Sequence, residues 1–274
     1  MVARGAAEAD SSARRAGNAP PPAHVGARVR DVLRRIWDRA TATQPPPEPT
    51  AVVVVALVAL ALVAIPRAWS LTRHVVTISH EGGHALVAVL TGRRLMGIRL
   101  HADTSGVTLS RGKPTGPGMV AMLAAGYLAP AVAGLAAALL LASGYSLALL
   151  WLAVGWLALM LLQIRNAYGL LVLGLCGAAA ALVSWYLPGT TVSLIAYLLT
   201  WLLLLAAPKP VLELMRQRRR GRARGSDVDQ LRRLTRVPAL VWELVFLLAN
   251  LSGLAVGVLV LLPAAGTLLA GLVG

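Results

Sequence analysis

The 274-residue chain has few charged residues, few acids and almost no cysteine. Charged residues make up 14% of it, against roughly 25% in an average soluble domain, while hydrophobic residues make up 57%. This balance excludes an ordinary soluble protein and predicts a multi-pass protein of the lipid bilayer, in the cell membrane. The single cysteine, Cys176, excludes a disulfide framework and a zinc site made of thiolates.

The apolar runs predict an all-α polytopic membrane protein with about seven transmembrane helices. The predicted helices lie at about residues 51–65, 74–91, 118–142, 145–162, 167–187, 192–207 and 239–262. They form one transmembrane domain, residues 50–263, which includes a polar loop at 92–117 and a basic loop at 208–237. Residues 264–274 are predicted to be a short C-terminal tail.

Residues 1–49 are rich in alanine, proline and arginine, and we predict a mostly disordered basic tail. Within it, residues 28–39 have apolar side chains at helical spacing among arginines. This pattern is typical either of a basic amphipathic helix on a membrane surface or of a solvated tail.

The net charge of +15 is concentrated outside the apolar runs. With a cytoplasmic N-terminus, seven helices would place every Lys and Arg on the cytoplasmic side except Arg67 and Arg73. The positive-inside rule therefore favours a cytoplasmic N-terminus. It also explains the charge without a nucleic-acid partner, and none is expected.

The segment His80-Glu81-Gly82-Gly83-His84 lies inside the second apolar run and matches the pattern H-E-x-x-H. On a helix the two imidazoles are one turn apart on the same face, so they can hold one Zn²⁺ ion while Glu81 acts as general base. Each glycine lowers helix propensity by about 1 kcal/mol relative to Ala, which indicates that another segment approaches the backbone closely. Alternatively, the two histidines only pack between helices, where neighbouring hydroxyls or carbonyls satisfy their hydrogen bonds and the glycines allow tight helix contact.

The loop at 92–117 contains two short stretches of alternating apolar and polar residues. Ile98 and Leu100 alternate with Arg99, a turn-forming stretch follows at 103–106, and the alternation resumes at residue 107. We predict a small β-hairpin directly after the second helix, although a plain interhelical loop remains the alternative. An exposed strand edge beside a protease site can bind an extended peptide.

A zincin motif in a membrane helix, followed by a hairpin and further helices, resembles the site-2 protease family of intramembrane zinc metalloproteases. The details look most like its compact B-type branch. The segments that carry the resemblance are His80-Glu81-Gly82-Gly83-His84-Ala85, Ser105-Gly106-Val107-Thr108, Ala125-Gly126-Tyr127-Leu128 and Ser226-Asp227.

The resemblance implies a zinc-dependent endopeptidase that cleaves membrane-anchored protein segments near the cytoplasmic side. It also implies that Glu81 is catalytic and that His80 and His84 share the metal with an acidic residue. The alternatives are a catalytically silent relative that binds and regulates membrane proteins, and a transporter that uses the motif as a relay. A transporter would require further intramembrane charges and internal repeats, which the sequence lacks.

The third ligand is where the sequence departs from the family pattern. Better-known members carry an Asp-Gly pair two helices after the zincin helix, but the equivalent stretch here, residues 165–169, has no carboxylate. Asp227 is our predicted ligand because Ser226-Asp227 resembles the second motif of the B-type branch. Asn166 and Glu243 are the alternative ligands, and Ser226 with Asp229 would also suit an ordinary helix cap. The other acids after the motif helix, Asp103 and Glu213, are interpreted as a turn residue and a surface charge.

Overall fold

The computed structural model describes residues 25–222 and 225–262. Residues up to Arg39 and residues from Ala40 onward form two separate units. Within the described ranges the chain is mostly helical with one two-stranded sheet, as predicted. The elements are α1 (Val25–Thr41), α2 (Pro49–Ala64), α3 (Pro66–Leu90), β1 (Arg94–Leu100), β2 (Gly106–Arg111), α4 (Pro117–Ala142), α5 (Ser146–Leu161), α6 (Ala167–Tyr186), α7 (Gly189–Ala206), α8 (Pro208–Arg219), α9 (Asp227–Thr235) and α10 (Ala239–Leu261).

Helix α1 shows that residues 25–41, within the tail predicted to be mostly disordered, are helical. Its apolar side chains Val29, Leu33 and Trp37 are exposed and lie at helical spacing among arginines. This is the amphipathic helix that the sequence pattern allowed. Residues 1–24 and the predicted C-terminal tail at 264–274 lie outside the described residues.

The count of seven membrane spans is not confirmed, although each of the seven predicted apolar helices is present. Four stretches are long and apolar enough to cross a bilayer, namely α4, α6, the α7–α8 pair and α10. Helices α2 and α3 qualify only together, as a pair bent by 101° that forms either a broken span or a re-entrant loop, and counting this pair as one span gives five. Helix α5 has 16 residues and is shorter than the other candidates.

The bend between α2 and α3 follows from Pro66. Proline has no N–H to continue a helical ladder and disfavours helical backbone at the residue before it. Ile65 accordingly has extended dihedral angles, with φ −76° and ψ 122°, and Pro66 begins the new helix. The hydropathy of the sequence does not reveal this change of direction.

The core of the helical unit relies on close helix contact at small residues. Leu204 of α7 is fully buried and lies against Gly134 of α4 and Gly257 of α10, where an added Cβ would approach it to 2.9 and 2.5 Å. Many large apolar side chains face outward, such as Leu162, which is 70% exposed. Because lipid would cover such a surface, the chain is a multi-pass membrane protein.

The predicted hairpin is confirmed. Strands β1 and β2 pair antiparallel, with Ile98 opposite Thr108 and Leu100 opposite Gly106. The outer edge of β1 is occupied, because the backbone of Ile98 accepts a hydrogen bond from Arg165 and donates one to Gln163.

The segment before α2 and the hairpin lie at opposite ends of α4. The backbone N–H of Gln44 donates to Gly144 at 2.8 Å, and its side chain accepts hydrogen bonds from Ser146 and Leu147, just beyond the C-terminal end of α4. The hairpin precedes its N-terminal end. Helix α4 has 26 residues and is about 39 Å long at 1.5 Å per residue, which is long enough to cross a bilayer. Residues 42–48 and the hairpin lie at its two ends, whereas the seven-helix prediction put the N-terminal tail and the hairpin on one side.

Thiol labelling can test this arrangement in a background where Cys176 is replaced by Ser. Ala42→Cys and Lys113→Cys, both at exposed positions, should react with a membrane-impermeant reagent from opposite sides of sealed vesicles. Labelling of both positions from the same side would instead support the seven-helix arrangement.

Candidate metal centre

Three potential metal-ligand atoms converge from two distant parts of the chain. Helix α3 carries His80 and His84 one turn apart, and α9 carries Asp227 at its first residue. The two histidine Nε2 atoms are 3.0 Å apart, and each lies 3.3 Å from Asp227 Oδ2. Among the described residues these three side chains form a group that could hold a metal ion.

The separations between these atoms fit zinc. Zinc bonds of about 2.0–2.1 Å in tetrahedral geometry place neighbouring ligand atoms roughly 3.3 Å apart. The measured 3.0 and 3.3 Å are close to that value. Two imidazoles and one carboxylate are also a donor set found in catalytic zinc sites, which leave the fourth position open.

Gly126 of α4 leaves room beside this group. A Cβ atom at this position would lie 2.4 Å from His84 Nε2 and 2.7 Å from His80 Cε1. Any larger residue would therefore occupy the space next to the ligand atoms. Gly83 allows the same helix to approach α3, since its Cβ would be 2.5 Å from Ala129.

The ring of His84 is fixed by a backbone carbonyl. Its Nδ1 lies 2.7 Å from the carbonyl oxygen of Met122, so Nδ1 carries the proton and Nε2 is directed at the candidate site. His80 packs edge-on against Tyr127, with ring centroids 5.0 Å apart. Tyr127 in turn stacks on Phe246 of α10.

The hairpin holds the Glu81 side chain. Thr108 of β2 donates its hydroxyl to Glu81 Oε2 at 2.6 Å and lies 3.2 Å from the backbone oxygen of the same residue. Gly106 provides the space for this contact, because a Cβ there would be 2.6 Å from Oε1. Glu81 is 4% exposed, so the hydroxyl supplies a partner that a buried carboxylate requires.

Asp227 is presented by a capped helix. Ser226 and Asp229 form a reciprocal capping box at the start of α9, which is the cap that the sequence suggested. The cap uses Ser226 and Asp229, and Asp227 is left to face the histidines.

The alternative third ligands have other partners. Asn166 hydrogen-bonds both backbone groups of Leu100 in β1, at 3.2 and 2.6 Å, and therefore connects the start of α6 to the hairpin. Glu243 pairs with Arg218 at 2.6 Å. Asp103 accepts hydrogen bonds from Ser105 in the hairpin turn, as predicted.

Glu213 has a more specific position than a surface charge. It accepts a hydrogen bond from the indole of Trp69 at 2.9 Å and lies 3.4 Å from Arg73, so it connects α8 to the first turns of α3.

A cavity of about 260 Å³ adjoins the site and is lined in part by His80, Glu81, Arg73 and Glu213.

Sequence reasoning gave no role to Gly126, Thr108 or Arg218. Thr108 and Gly126 lie in segments that carried the family resemblance, and a resemblance alone does not say what a residue contacts. A glycine in an apolar helix indicates that another segment approaches the helix closely, but only the structure shows that the neighbours of Gly126 are His80 and His84.

Comparison with known protein families identifies the family of this chain. The family model described as Peptidase M50B-like matches residues 53–257, which is most of the chain, so the protein belongs to this family of peptidases. This confirms the resemblance to the B-type branch of the site-2 protease family. Curated proteins and solved structures gave no match.

Substitution of Gly126 tests the space beside the ligand atoms. Gly126→Ala should abolish stoichiometric zinc binding, because the added methyl group would meet both imidazoles. Metal analysis of the purified protein measures this. Gly155→Ala is the matched control, since that helical glycine of α5 has open space around it, and it should keep its zinc. Normal zinc content in Gly126→Ala would contradict the assignment of this pocket.

Proposed function

We propose that this peptidase-family membrane protein is a zinc-dependent intramembrane endopeptidase. The observation that carries the proposal is the convergence of His80, His84 and Asp227, next to a cavity lined by both His80 and the buried Glu81. In this proposal the three converging side chains hold the metal and Glu81 is the catalytic base. The substrates are membrane-anchored protein segments.

A zinc ion supplies Lewis acidity, which acidifies a water molecule and polarises the carbonyl that is attacked. Glu81 takes the proton from the water and returns it to the leaving amine. We assign the proton transfer to Oε1, because Oε2 already accepts the hydrogen bond from Thr108. His84, oriented through its Nδ1 by Met122, keeps its Nε2 unprotonated and free to act as a ligand.

The substrate must be extended at the cleaved bond. A helical segment has its backbone carbonyls hydrogen-bonded internally, so it must unwind before one of them can be attacked. Strand β2 is suited to hold the unwound segment, because Thr108 and Gly106 contact Glu81 while Val107 and Leu109 are about half exposed. A peptide that adds to this edge would run past the catalytic carboxylate.

We propose that cleavage occurs near the cytoplasmic face. The hairpin region and the segment at 208–237 carry most of the basic residues in the helical unit, and such residues are retained on the cytoplasmic side. Both regions border the site. Residues 42–48 would then face the exterior.

Glu81→Gln tests the proton-transfer role. The amide keeps the size of the side chain and can still accept a hydrogen bond from Thr108, so folding and zinc content should stay near normal. Cleavage of a membrane-anchored reporter should fall at least about 100-fold, within the range of general-base contributions. The exposed Glu48→Gln serves as control and should cleave normally. Full activity of Glu81→Gln would end the catalytic assignment.

Asp227→Ala tests the third ligand. Zinc affinity should fall by at least the roughly 10- to 100-fold that is typical of changes around a metal ligand, as measured by chelator competition on the purified protein. Asp103→Ala removes an exposed carboxylate of the hairpin turn and should leave the affinity unchanged. Unchanged affinity in Asp227→Ala would move the ligand to another residue. Stoichiometric zinc in a wild-type protein that cleaves no reporter would instead indicate a silent, regulatory relative.

A further inference from the structure

Arg218, near the end of α8, forms short ion pairs with acids on two other helices. Its Nε donates to Glu243 Oε1 of α10 at 2.6 Å, and its Nη1 donates to Asp229 Oδ1 of α9 at 2.7 Å. Glu243 is 1% exposed, so the guanidinium has one partner in the helical core. The planar fork of arginine suits two such contacts at once.

Asp229 connects this cation to the first turn of α9. Its Oδ2 accepts from the backbone N–H of Ser226, and its own N–H donates to the Ser226 hydroxyl, both at 3.3 Å. The same carboxylate thus closes the helix cap and binds Arg218. Asp227 lies between the two residues of the cap.

Helix α9 needs outside support to hold a fixed position. It has nine residues, and isolated helices this short are unstable in water. Its buried side chains, Val228 and Leu231, pack into an apolar cluster with Leu123, Val211 and Phe246. Apolar packing alone permits small rotations, whereas the directional ion pair between Asp229 and Arg218 at the first turn restricts them.

We infer that Arg218 is a positioning residue for the metal centre: anchored by Glu243, it holds Asp229 and so sets the first turn of α9 where Asp227 meets His80 and His84. The inference rests on the proposed function, because it takes Asp227 as a zinc ligand. Residues that orient a ligand from outside the coordination sphere typically change metal affinity by 10- to 100-fold.

The first test is Arg218→Gln in the full chain, purified in detergent and titrated with zinc against a competing chelator. The affinity should fall roughly 10- to 100-fold, and saturating zinc should restore reporter cleavage, because His80, His84, Asp227 and Glu81 are all retained. Arg219→Gln is the matched control on the same helix, with the same loss of charge at an exposed position. It should bind zinc like the wild type.

A second variant separates positioning from folding. Arg218→Gln leaves Glu243 buried without its partner, which can unfold the protein. The double variant Arg218→Met, Glu243→Leu replaces that ion pair by apolar contact between α8 and α10. It should melt near the wild-type temperature without zinc, yet still bind zinc more weakly, since Asp229 has lost its cation.

The possible results distinguish a wrong assignment of Arg218 from a wrong assignment of the zinc site. Wild-type zinc affinity in the double variant would show that Arg218 only supports the packing of α8 on α10, and would overturn the inference while leaving the zinc site intact. Loss of cleavage that saturating zinc does not restore, in a folded double variant, would also contradict it. Absence of zinc binding in the wild type would instead overturn the proposed function.

Discussion

The structure depends on one contact between distant parts of the sequence. The carboxylate of Asp227, on the short helix α9, contacts the imidazoles of His80 and His84 on α3. Buried polar groups are costly unless each has a partner. Around this site the partners come from many elements. The Met122 carbonyl binds His84, Thr108 binds Glu81, and Arg218 binds Asp229. The arrangement of the helices and of the hairpin can be understood as the means of supplying these partners.

Close packing is the second requirement. Helix α4 can approach α3 only because it has glycine or alanine at the contact, and the same feature recurs where Leu204 packs between two glycines. In a bilayer, van der Waals contact between closely approaching helices contributes much of the association. The glycines of α3 and α4 therefore serve both the stability of the bundle and the space at the candidate metal centre.

Much of the fold and of the site could be predicted from local patterns. The spacing of His80 and His84 fixes their common face on any helix, the alternation around Ile98 indicates a strand, and the Ser226-x-x-Asp229 pattern indicates a capped helix. The prediction of Asp227 as a metal ligand, by contrast, rests on resemblance to a short family motif and not on a physical argument. From the sequence, the helix cap and the metal-ligand role of Asp227 are competing interpretations of residues 226–229, but the structure contains the cap and also places Asp227 against the histidines.

The rest depends on contacts between residues far apart in sequence. Hydropathy detects apolar runs but not their direction, so it could not show that the chain bends sharply between α2 and α3 or that Gln44 lies beyond the C-terminal end of α4. The basic residues are consistent with a seven-span topology, but the structure does not confirm that number of spans. Arg218 looked like one more arginine in a basic run, and only the fold brings it between two acids.

The occupied edge of β1 has a consequence for the sheet. A two-stranded sheet with both margins open could be extended by further strands on either side, including hairpins of neighbouring molecules in a crowded bilayer. Because residues 163–165 occupy the outer edge of β1, a further strand can pair with the sheet only along β2. This arrangement disfavours extension of the sheet through β1, including pairing between the β1 strands of two molecules.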